Sequence, residues 1–451
     1  MKQFAKIIPV AVCASVVMWS CGKDDEKNPT PVDPDAEYVL PSGEAITSVL
    51  FEEKNHVKLS SGNTYTLKGG VQLKEGQKIT IEAGVTVKSD PVEPTTAYLL
   101  IGPGAQINAV GTADKPIVFT SGKSTPKFQD WGGIILCGRA PVNTPGGTAP
   151  SEMGVNVTYG GTNAADNSGT LKYVRVEYTG AKQSDTKEHN GFTFEGVGNG
   201  TILEYLSSYE GGDDGFEWFG GTVNAKYLVC VGAKDDLYDW TFGWTGKAQF
   251  VVGIQGDDVG DRGIEADDNE DNHGATPYSN PTIVNLVLVG STVAKTGDDP
   301  TNPGTNATRM IEFRRGTKAN IVNFVGYGFT NGVRVSDDST IVNLLDGSLS
   351  VKDAYISAPD GKVFQYNPTA GGKFVDDAGK YNGGKPWETE ASIQATTTNT
   401  APDAISDKYK GKVDEANAVD PKTLDSWFSD GKFKGAVDPA ADWTSGGWAR
   451  F

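Results

Sequence analysis

Short runs of alternating apolar and polar residues, separated by glycine and asparagine, recur along most of the chain. Such runs predict short β-strands, because side chains alternate between the two faces of a strand. Six of the runs align with one another: Asn190–Phe194, Asp214–Trp218, Asp236–Trp240, Arg262–Ala266, Arg309–Phe313 and Asn331–Val335. Successive runs are 22 to 26 residues apart, except for one step of 47 residues that carries two insertions. This period predicts an all-β solenoid, in which each coil stacks on the previous one.

The predicted solenoid domain extends over residues 38–451. Earlier apolar runs, such as Ile79–Val87 and Trp131–Ile135, fit the same pattern of short strands broken by glycine turns. A solenoid exposes unpaired strand edges at both ends and therefore needs caps. We expect residues 38–64 to contribute to the N-terminal cap, and the tryptophan-rich residues 424–451 to form the C-terminal cap.

The amino terminus has the order of a secretory signal. Two lysines precede an almost uninterrupted apolar run, Ile7–Trp19, which is too short to span a bilayer as a stable helix. Ser20 and Cys21 follow this run and resemble a lipobox, in which cleavage precedes the cysteine and its sulfur is acylated. These features predict a signal peptide over residues 1–20 and lipidation of Cys21. The alternative is an ordinary signal peptide that is cut nearby.

The residues after Cys21 predict the destination of the protein. Lys23, Asp24 and Asp25 place a lysine before acidic residues and resemble the surface-export signal of Bacteroidetes lipoproteins. The stretch that follows is rich in proline and aspartate and has no apolar periodicity, so residues 21–37 are expected to form a flexible tether. We therefore expect a lipid-anchored protein on the extracellular face of the outer membrane.

Composition argues against several classes of function. The formal net charge of −18 at pH 7 disfavours nucleic acid and anionic lipid as partners. The chain has three histidines and no pair at metal-ligand spacing, so a zinc site is not expected. Apart from Cys13 in the signal peptide and the acylated Cys21, the cysteines are Cys137 and Cys230. Their apolar surroundings predict buried thiols rather than a disulfide.

Four stretches of the chain carry a resemblance to a known family: Thr80–Gly84, Trp131–Ile135, Asp213–Gly221 and Trp443–Trp448. Together they resemble the right-handed parallel β-helix lipoproteins and secreted proteins that are common in Bacteroidetes. The resemblance implies a single-stranded right-handed parallel β-helix and an extracytoplasmic location. It implies little about chemistry, because the same fold carries lyases, hydrolases and adhesins.

A column of mostly charged residues is predicted on the outside of the solenoid. In each aligned run the neighbours of the central residue are apolar and should point into the core, so the central residue should point outward. These central residues are Thr193, Glu217, Asp239, Glu265, Glu312 and Arg334. Stacked coils place such residues about 4.8 Å apart. Two carboxylates at that spacing repel by roughly 3–4 kcal/mol at an effective dielectric near 20, so they need a cation, an arginine, proton uptake or open water.

Further carboxylates lie just ahead of these strands. Between Glu210 and Asp271 the chain has fifteen carboxylates and four lysines or arginines. Three interpretations remain open: a solvated acidic face, a calcium site, and a catalytic site of the kind that β-helix polysaccharide hydrolases and lyases build from carboxylates. The candidate calcium ligands are Asp213, Asp214, Glu217, Asp235, Asp236, Asp239, Asp261 and Glu265. For catalysis, Arg309, Arg314 or Arg334 could supply a basic group, and nothing selects one of them.

Trp244 is the candidate ligand-binding aromatic residue. It lies after a glycine beside the acidic runs, and we expect it to be exposed, whereas Trp218 and Trp240 should pack in the core. An exposed tryptophan beside carboxylates suits a sugar ring.

These observations lead to a functional hypothesis. The sequence predicts a calcium-stabilised surface binding module for glycan, accessory to a TonB-dependent uptake system; that partner is implied only by location and family. The alternatives are a polysaccharide lyase or glycoside hydrolase of the parallel β-helix type, and an adhesin or structural surface protein.

Overall fold

The computed structural model describes residues 36–153, 155–184, 187–257, 260–291, 308–359, 362–375, 393–398 and 400–451. The predicted signal peptide, Cys21, Lys23, Asp24 and Asp25 lie outside the described residues, so their roles stay predictions. None of the helices in the described ranges is long and apolar enough to cross a membrane.

The chain folds into short strands that are joined by turns. In chain order the first strands are β1 (Tyr38–Val39), β2 (Ala45–Ile46), β3 (His56–Leu59), β4 (Thr64–Leu67), β5 (Gly70–Leu73), β6 (Lys78–Glu82), β7 (Thr86–Ser89), β8 (Tyr98–Ile101), β9 (Gln106–Val110), β10 (Ile117–Thr120), β11 (Ile134–Cys137), β12 (Thr148–Pro150), β13 (Thr158–Gly160), β14 (Gly169–Glu177), β15 (Lys182–Ser184) and β16 (Lys187–Glu188). The strands that follow are β17 (Phe192–Glu195), β18 (Ile202–Tyr209), β19 (Phe216–Phe219), β20 (Ala225–Val231), β21 (Tyr238–Thr241), β22 (Lys247–Ile254), β23 (Arg262–Ala266), β24 (Thr282–Val289), β25 (Arg309–Phe313), β26 (Ala319–Tyr327), β27 (Asn331–Ser336), β28 (Leu349–Ser357), β29 (Phe364–Asn367) and β30 (Ile393–Thr398). The helices are α1 (Ser48–Glu53) and α2 (Asp338–Leu345), with single 3-10 turns at Pro94–Thr96, Pro145–Gly147, Pro421–Thr423 and Pro439–Ala441.

Most strands belong to two sheets that run along the solenoid. Sheet 1 has 16 strands, with the main path β1-β3-β6-β9-β14-β18-β20-β22-β24-β26-β28-β30 and a branch through β2, β4, β7 and β10. Sheet 2 has 10 strands in the order β5-β8-β11-β17-β19-β21-β23-β25-β27-β29. Neighbouring strands come from successive coils and pair in parallel. The chain is therefore a parallel β-solenoid, which confirms the predicted fold class.

The core consists of inward side chains that stack from coil to coil. On sheet 2, the Phe216 ring lies 5.1 Å from Phe192 and 5.4 Å from Tyr238, measured between ring centroids. Phe194 and Trp218 form a second inward pair with centroids 5.5 Å apart. All five side chains are buried. The predicted alternation of inward apolar and outward charged residues is therefore confirmed for these strands.

The long strands of sheet 1 bend around a corner of the solenoid. Tyr173, Tyr205, Tyr227 and Phe250 lie at this bend with φ angles of 52°, 55°, 63° and 61°. Positive φ is unfavourable for residues with a bulky side chain, so neighbouring contacts must hold the bend. Part of that support comes from ring stacking, with successive centroids 4.2, 4.2 and 5.1 Å apart.

Residues 401–451, which we call the C-terminal strap, lie along this corner. Trp448 is completely buried, and its ring meets Tyr173 and Tyr205 edge-on. Further along the strap, Asn285 Nδ2 donates to the carbonyl of Gly431. The prediction that residues 424–451 cap the C-terminal end is therefore wrong. Their aromatic side chains instead cover outward apolar groups on the side of sheet 1. The sequence pattern shows that these aromatic residues cover apolar groups, but it does not show whether those groups lie on the side or at the end of the solenoid.

Helix α1 lies against β5, the first strand of sheet 2. Ser48 Oγ in α1 donates to the carbonyl of Gly70 at 2.6 Å. Phe51 of the same helix is buried and packs with the core. The helix thus covers part of the N-terminal edge of sheet 2, within the region where the sequence predicts a cap.

Candidate cation and ligand site

The predicted column of charged residues exists on the outer face of sheet 2. Its members are direct strand partners in successive coils: Thr193, Glu217, Asp239, Glu265, Glu312 and Arg334. We call the four carboxylates of this column, Glu217, Asp239, Glu265 and Glu312, the acidic ladder. The alignment of the repeats fixes this register, because a shift of one residue would turn the apolar set outward.

The eight candidate calcium ligands come together around the acidic ladder. Four groups of three have carboxylate oxygens within 4.8 Å of one another. The groups are Asp213–Asp214–Asp235, Asp214–Glu217–Asp239, Asp235–Asp236–Asp261 and Asp236–Asp239–Glu265. The eight residues occupy three neighbouring positions in three successive coils, and we call them the carboxylate cluster. The repeat alone predicts that all eight lie together, because these three positions recur in each coil.

Several members of the carboxylate cluster are shielded from solvent. The exposed fraction is 7% for Asp214, 8% for Glu217, 2% for Asp236 and 9% for Glu265. Asp235, in contrast, is exposed at the edge of the cluster. The interpretation of these residues as a solvated acidic face is therefore wrong for the middle of the cluster.

Arginines neutralise one side of the carboxylate cluster. Arg262 Nη1 lies 2.9 Å from Glu265 Oε1 and 3.7 Å from Asp236 Oδ2. Arg314 also forms an ion pair with Glu265. Within the described parts of the chain, no lysine or arginine forms an ion pair with Glu217 or Asp239. The same holds for Asp213, Asp214 and Asp235. Among the described residues, the groups Asp214–Glu217–Asp239 and Asp213–Asp214–Asp235 thus have no ion-pair partner, whereas the other two groups contact Arg262.

Burial and mutual repulsion raise the proton affinity of the cluster. Burial, and then the charge of Asp213, raises the pKa of Asp214 well above its ordinary value. Burial also raises the pKa of Glu217, with Glu152 as its strongest carboxylate neighbour. The pKa of Glu265 rises to about 7 through burial, although Arg262 and Arg314 oppose the rise. A cation in the cluster would relieve these unfavourable charges.

A cavity of about 320 Å³ opens over the acidic ladder. Its walls contain six carboxylates, two arginines and three aromatic side chains. These are Glu152, Glu217, Asp239, Glu265, Asp267, Glu270, Arg314, Arg315, Tyr159, Phe219 and Phe242. Three ladder residues, Glu217, Asp239 and Glu265, belong both to the carboxylate cluster and to the cavity wall. A cation in the cluster and a ligand in the cavity would therefore be neighbours.

The family described as pectate-lyase like beta helix domain matches residues 51–407, which include the whole cluster and cavity. The chain belongs to this family. Neither a curated protein nor a solved structure matches the chain significantly. As a member of a pectate-lyase-like family the chain is compatible with the polysaccharide-cleaving alternative, but membership does not assign a reaction or a ligand to any residue.

One wall of the cavity in this pectate-lyase-like domain comes from an antiparallel hairpin. We call β12 and β13 with their turn the covering hairpin. Its anchor is Glu195, a completely buried residue of β17. Glu195 Oε1 accepts from Ser151 Oγ at 3.0 Å and from the Glu152 amide at 2.8 Å, while Cys137 Sγ donates to Oε2. Glu152 was not predicted from the sequence, because the covering hairpin lies outside the repeat and no spacing links it to the ladder. Glu195 lies in the repeat, but its aligned partners in neighbouring coils are Cys137 and Phe219, so no acidic column marks it.

Trp244 is buried, and the prediction that it is exposed to a ligand is wrong. Its ring stacks on Trp218 with centroids 4.4 Å apart, and its Nε1 donates to the carbonyl of Val223 at 3.1 Å. The turn after Thr241 brings Trp244 back into the core rather than outward. The aromatic side chains that line the cavity are Tyr159, Phe219 and Phe242 instead.

Proposed function

We propose that this parallel β-solenoid binds a divalent cation, with calcium as the ion that its oxygen ligands suit best, and binds a saccharide in the adjoining cavity. The observation that carries the proposal is the continuity of the two features. Asp239 and Glu265 belong to the carboxylate cluster and also line the cavity. A cation held there would face the bound saccharide, and hard cations accept hydroxyl oxygens as ligands.

The donor set suits calcium. The group Asp214–Glu217–Asp239 offers three carboxylates within 4.8 Å of one another, and none of the three forms an ion pair with a lysine or arginine of the described residues. Asp239 Oδ1 is buried and lacks a hydrogen-bond partner within the described residues, which is costly for a carboxylate unless a cation or proton reaches it. Calcium takes six to eight oxygens in flexible geometry, so three carboxylates with water and saccharide oxygens can complete its shell.

Titration calorimetry on chelator-treated protein tests the cation step. We expect heat of binding for calcium that survives 0.1–0.2 M sodium chloride, because specific coordination is screened less than a diffuse ion atmosphere. A titration without heat at near-millimolar calcium, confirmed by equilibrium dialysis, would refute the cation proposal.

A second candidate, cleavage of the saccharide, is favoured by two carboxyls in the cavity. Burial raises the pKa of Glu152 and of Glu265 to about 7, so each can hold or release a proton near neutral pH. Two carboxyls flanking a glycosidic bond are what acid–base hydrolysis requires. Incubation with oligosaccharides separates the candidates: new reducing ends indicate hydrolysis, unsaturated products indicate a lyase, and binding without products indicates a binding module.

For the location we propose a lipid anchor at Cys21 and exposure on the extracellular face of the outer membrane. The support is the order of the N-terminal residues: a basic start, an apolar run, Cys21 and then Lys23-Asp24-Asp25. A TonB-dependent transporter is the partner we propose for a glycan-binding lipoprotein, and co-purification after crosslinking of intact cells would test it. If the protein has an adhesive or structural role instead, no soluble ligand should bind in the cavity.

A further inference from the structure

We infer that the cavity selects a saccharide unit that carries a protonated amino group, and that Glu152 of the covering hairpin determines this specificity. The inference rests on the proposed saccharide binding and names the class of saccharide. It follows from the balance of charge in the cavity, from the pairing of the two arginines and from a carboxylate oxygen of Glu152 that has no hydrogen-bond partner among the described residues.

The cavity wall has more acidic than basic groups. Six carboxyls and two arginines line it, which gives a formal charge of −4 when all six are ionised. One divalent cation in the carboxylate cluster would change this value to −2. Burial raises the pKa of Glu152 and of Glu265 to about 7, and a bound ammonium group would favour their ionised forms. A uronate or a sulfated sugar would instead add a negative charge to a cavity that has no positive excess.

Arg314 and Arg315, the basic side chains that line the cavity, are already paired with carboxylates of its wall. Arg314 pairs with Glu265 and with Asp267, the latter at 2.7 Å. Arg315 pairs with Asp267 at 2.7 Å and with Glu270 at 3.2 Å. Each guanidinium thus already bridges two carboxylates of the cavity wall. An incoming carboxylate or sulfate would have to displace one of these pairs, which a neutral or positive sugar avoids.

One acceptor in the cavity wall lacks a donor. Glu152 Oε2 is buried and has no hydrogen-bond partner within the described residues. Its side chain lines the cavity from the covering hairpin, whereas Asp239 belongs to the proposed cation site. An ammonium group carries three donors and a positive charge, so it satisfies such an acceptor better than a hydroxyl does. The aromatic faces of Tyr159 and Phe219 on the same wall offer an apolar surface for the sugar ring.

Glu152 is the carboxylate that remains for the ligand. Glu217 and Asp239 belong to the proposed cation site, and Glu265, Asp267 and Glu270 pair with arginines. The backbone amide of Glu152 is fixed by the buried Glu195, so its side chain does not depend on a mobile surface loop for its position. A fixed carboxylate in the wall of a cavity, without an ion-pair partner among the described residues, is a specificity determinant for positive charge.

The test compares three tetrasaccharides of matched length in titration calorimetry at pH 7 with saturating calcium: tetra-glucosamine, its fully N-acetylated counterpart, and tetra-galacturonate. We expect the free amine to bind at least about tenfold more tightly than the N-acetylated form, the order expected when one partner of a shielded charge pair is removed. Galacturonate should not bind measurably. Glu152→Gln should reduce the preference for the free amine to less than about threefold.

Glu204→Gln is the matched control, because Glu204 is a half-exposed carboxylate that pairs with Lys172 and does not line the cavity. It should keep the tenfold preference, and thermal melting of both variants checks that they fold. Equal or tighter binding of galacturonate, equal binding of the N-acetylated sugar, or an unchanged preference in Glu152→Gln would each overturn the inference while leaving saccharide binding intact. Absence of binding for all three sugars would overturn the proposed function itself, and the inference with it.

Discussion

Arg262 Nε donates to Glu312 Oε2 at 3.0 Å across two neighbouring strands of sheet 2. The same carboxylate accepts from Arg334 Nε and Nη2 at 2.7 and 2.6 Å. Glu312 is 3% exposed, so this contact lies in a shielded environment. At this contact the charge along the outer column of sheet 2 changes from negative to positive: β19, β21 and β23 carry carboxylates, and β27 carries an arginine. Arg262 and Arg334 neutralise Glu312, whereas Glu217 and Asp239 have no ion-pair partner among the described residues.

Replacement of Glu312 by glutamine should destabilise the fold by roughly 2–5 kcal/mol, because Glu312 is the ion-pair partner of Arg309 and Arg334 and no other carboxylate of the described residues pairs with them. Urea unfolding at pH 7 measures the change. The control is Glu204→Gln, which breaks the half-exposed pair with Lys172 and should cost less than about 1 kcal/mol. Equal effects of the two substitutions would contradict the assigned role of Glu312.

The stabilisation by Glu312 should depend on pH in a defined direction. Burial alone would raise its pKa, but the hydrogen bond from Arg334 and the charge of Arg262 lower the pKa to about 2. A carboxyl group with a lower pKa in the folded state than in the unfolded state stabilises the fold when it is ionised. This stabilisation is complete above the unfolded pKa of about 4.3 and is lost as the pH falls through the pKa of the folded state. The stability difference between wild type and Glu312→Gln should therefore be full at pH 6 and should shrink from about pH 4 towards pH 2. A difference that stays constant over this range would rule out the ionised form as its source.

Calcium should stabilise the solenoid through the carboxylate cluster. Binding to the folded state alone contributes about 2.7 kcal/mol at a hundredfold excess over the dissociation constant. Calcium should thus raise the melting temperature and chelator should lower it. Asp214→Asn combined with Asp236→Asn should abolish the response, and magnesium should replace calcium poorly because it requires tighter octahedral geometry. Asp407→Asn with Asp430→Asn, two exposed aspartates of the strap, is the control that should keep the response.

The benefit of calcium should be larger at pH 8 than at pH 5. The folded pKa of Glu265 is about 7, above the ordinary 4.3 of an unfolded chain. Without calcium, the folded state holds this proton longer than the unfolded state, so stability falls as the pH rises from about 4.3 to 7. Calcium binds the ionised form and should offset that loss. Urea unfolding at both pH values, with calcium and with chelator, measures the difference; an equal gain at both would exclude coupling between proton and metal.

Trp448 should be the key residue of the C-terminal strap. Its ring is completely buried against Tyr173 and Tyr205, so Trp448→Ala should cost about 3–5 kcal/mol. Leu424→Ala changes an exposed side chain of the same strap and should cost less than about 0.5 kcal/mol. If Trp448→Ala melts like wild type, the strap does not support the corner of sheet 1.

Cys21→Ala should move the protein from the membrane fraction to the soluble fraction, because acylation needs the thiol. Replacement of Lys23, Asp24 and Asp25 by alanine should leave the protein membrane-bound but protected from protease added to intact cells. Fractionation and protease shaving with immunoblotting measure both results. Unchanged fractionation of Cys21→Ala would contradict the lipid anchor, and continued cleavage of the triple variant would contradict the export signal.

The repeat in the sequence was sufficient for the solenoid and for the register of the acidic ladder. The stacking of Phe192, Phe216 and Tyr238 and the alignment of Glu217 with Asp239 both follow from strand alternation at a period of 22–26 residues. Such contacts join equivalent positions of successive coils, so a pattern along the chain already specifies them.

Only the tertiary structure decided what covers the repeat. Glu152 reaches the cavity from a hairpin about 65 residues before Glu217. Trp448 contacts Tyr173 although the two residues are far apart in the chain. Trp244 points into the core, and the glycine before it did not indicate whether its side chain would point inward or outward. These contacts depend on the path that the non-repeating segments take across the surface. That path depends in turn on the outward apolar and charged groups that stay uncovered after the coils have stacked. The sequence by itself therefore determined the scaffold and the identity of the clustered carboxylates, whereas their burial, their arginine partners and the cavity above them arise from the packing of distant segments.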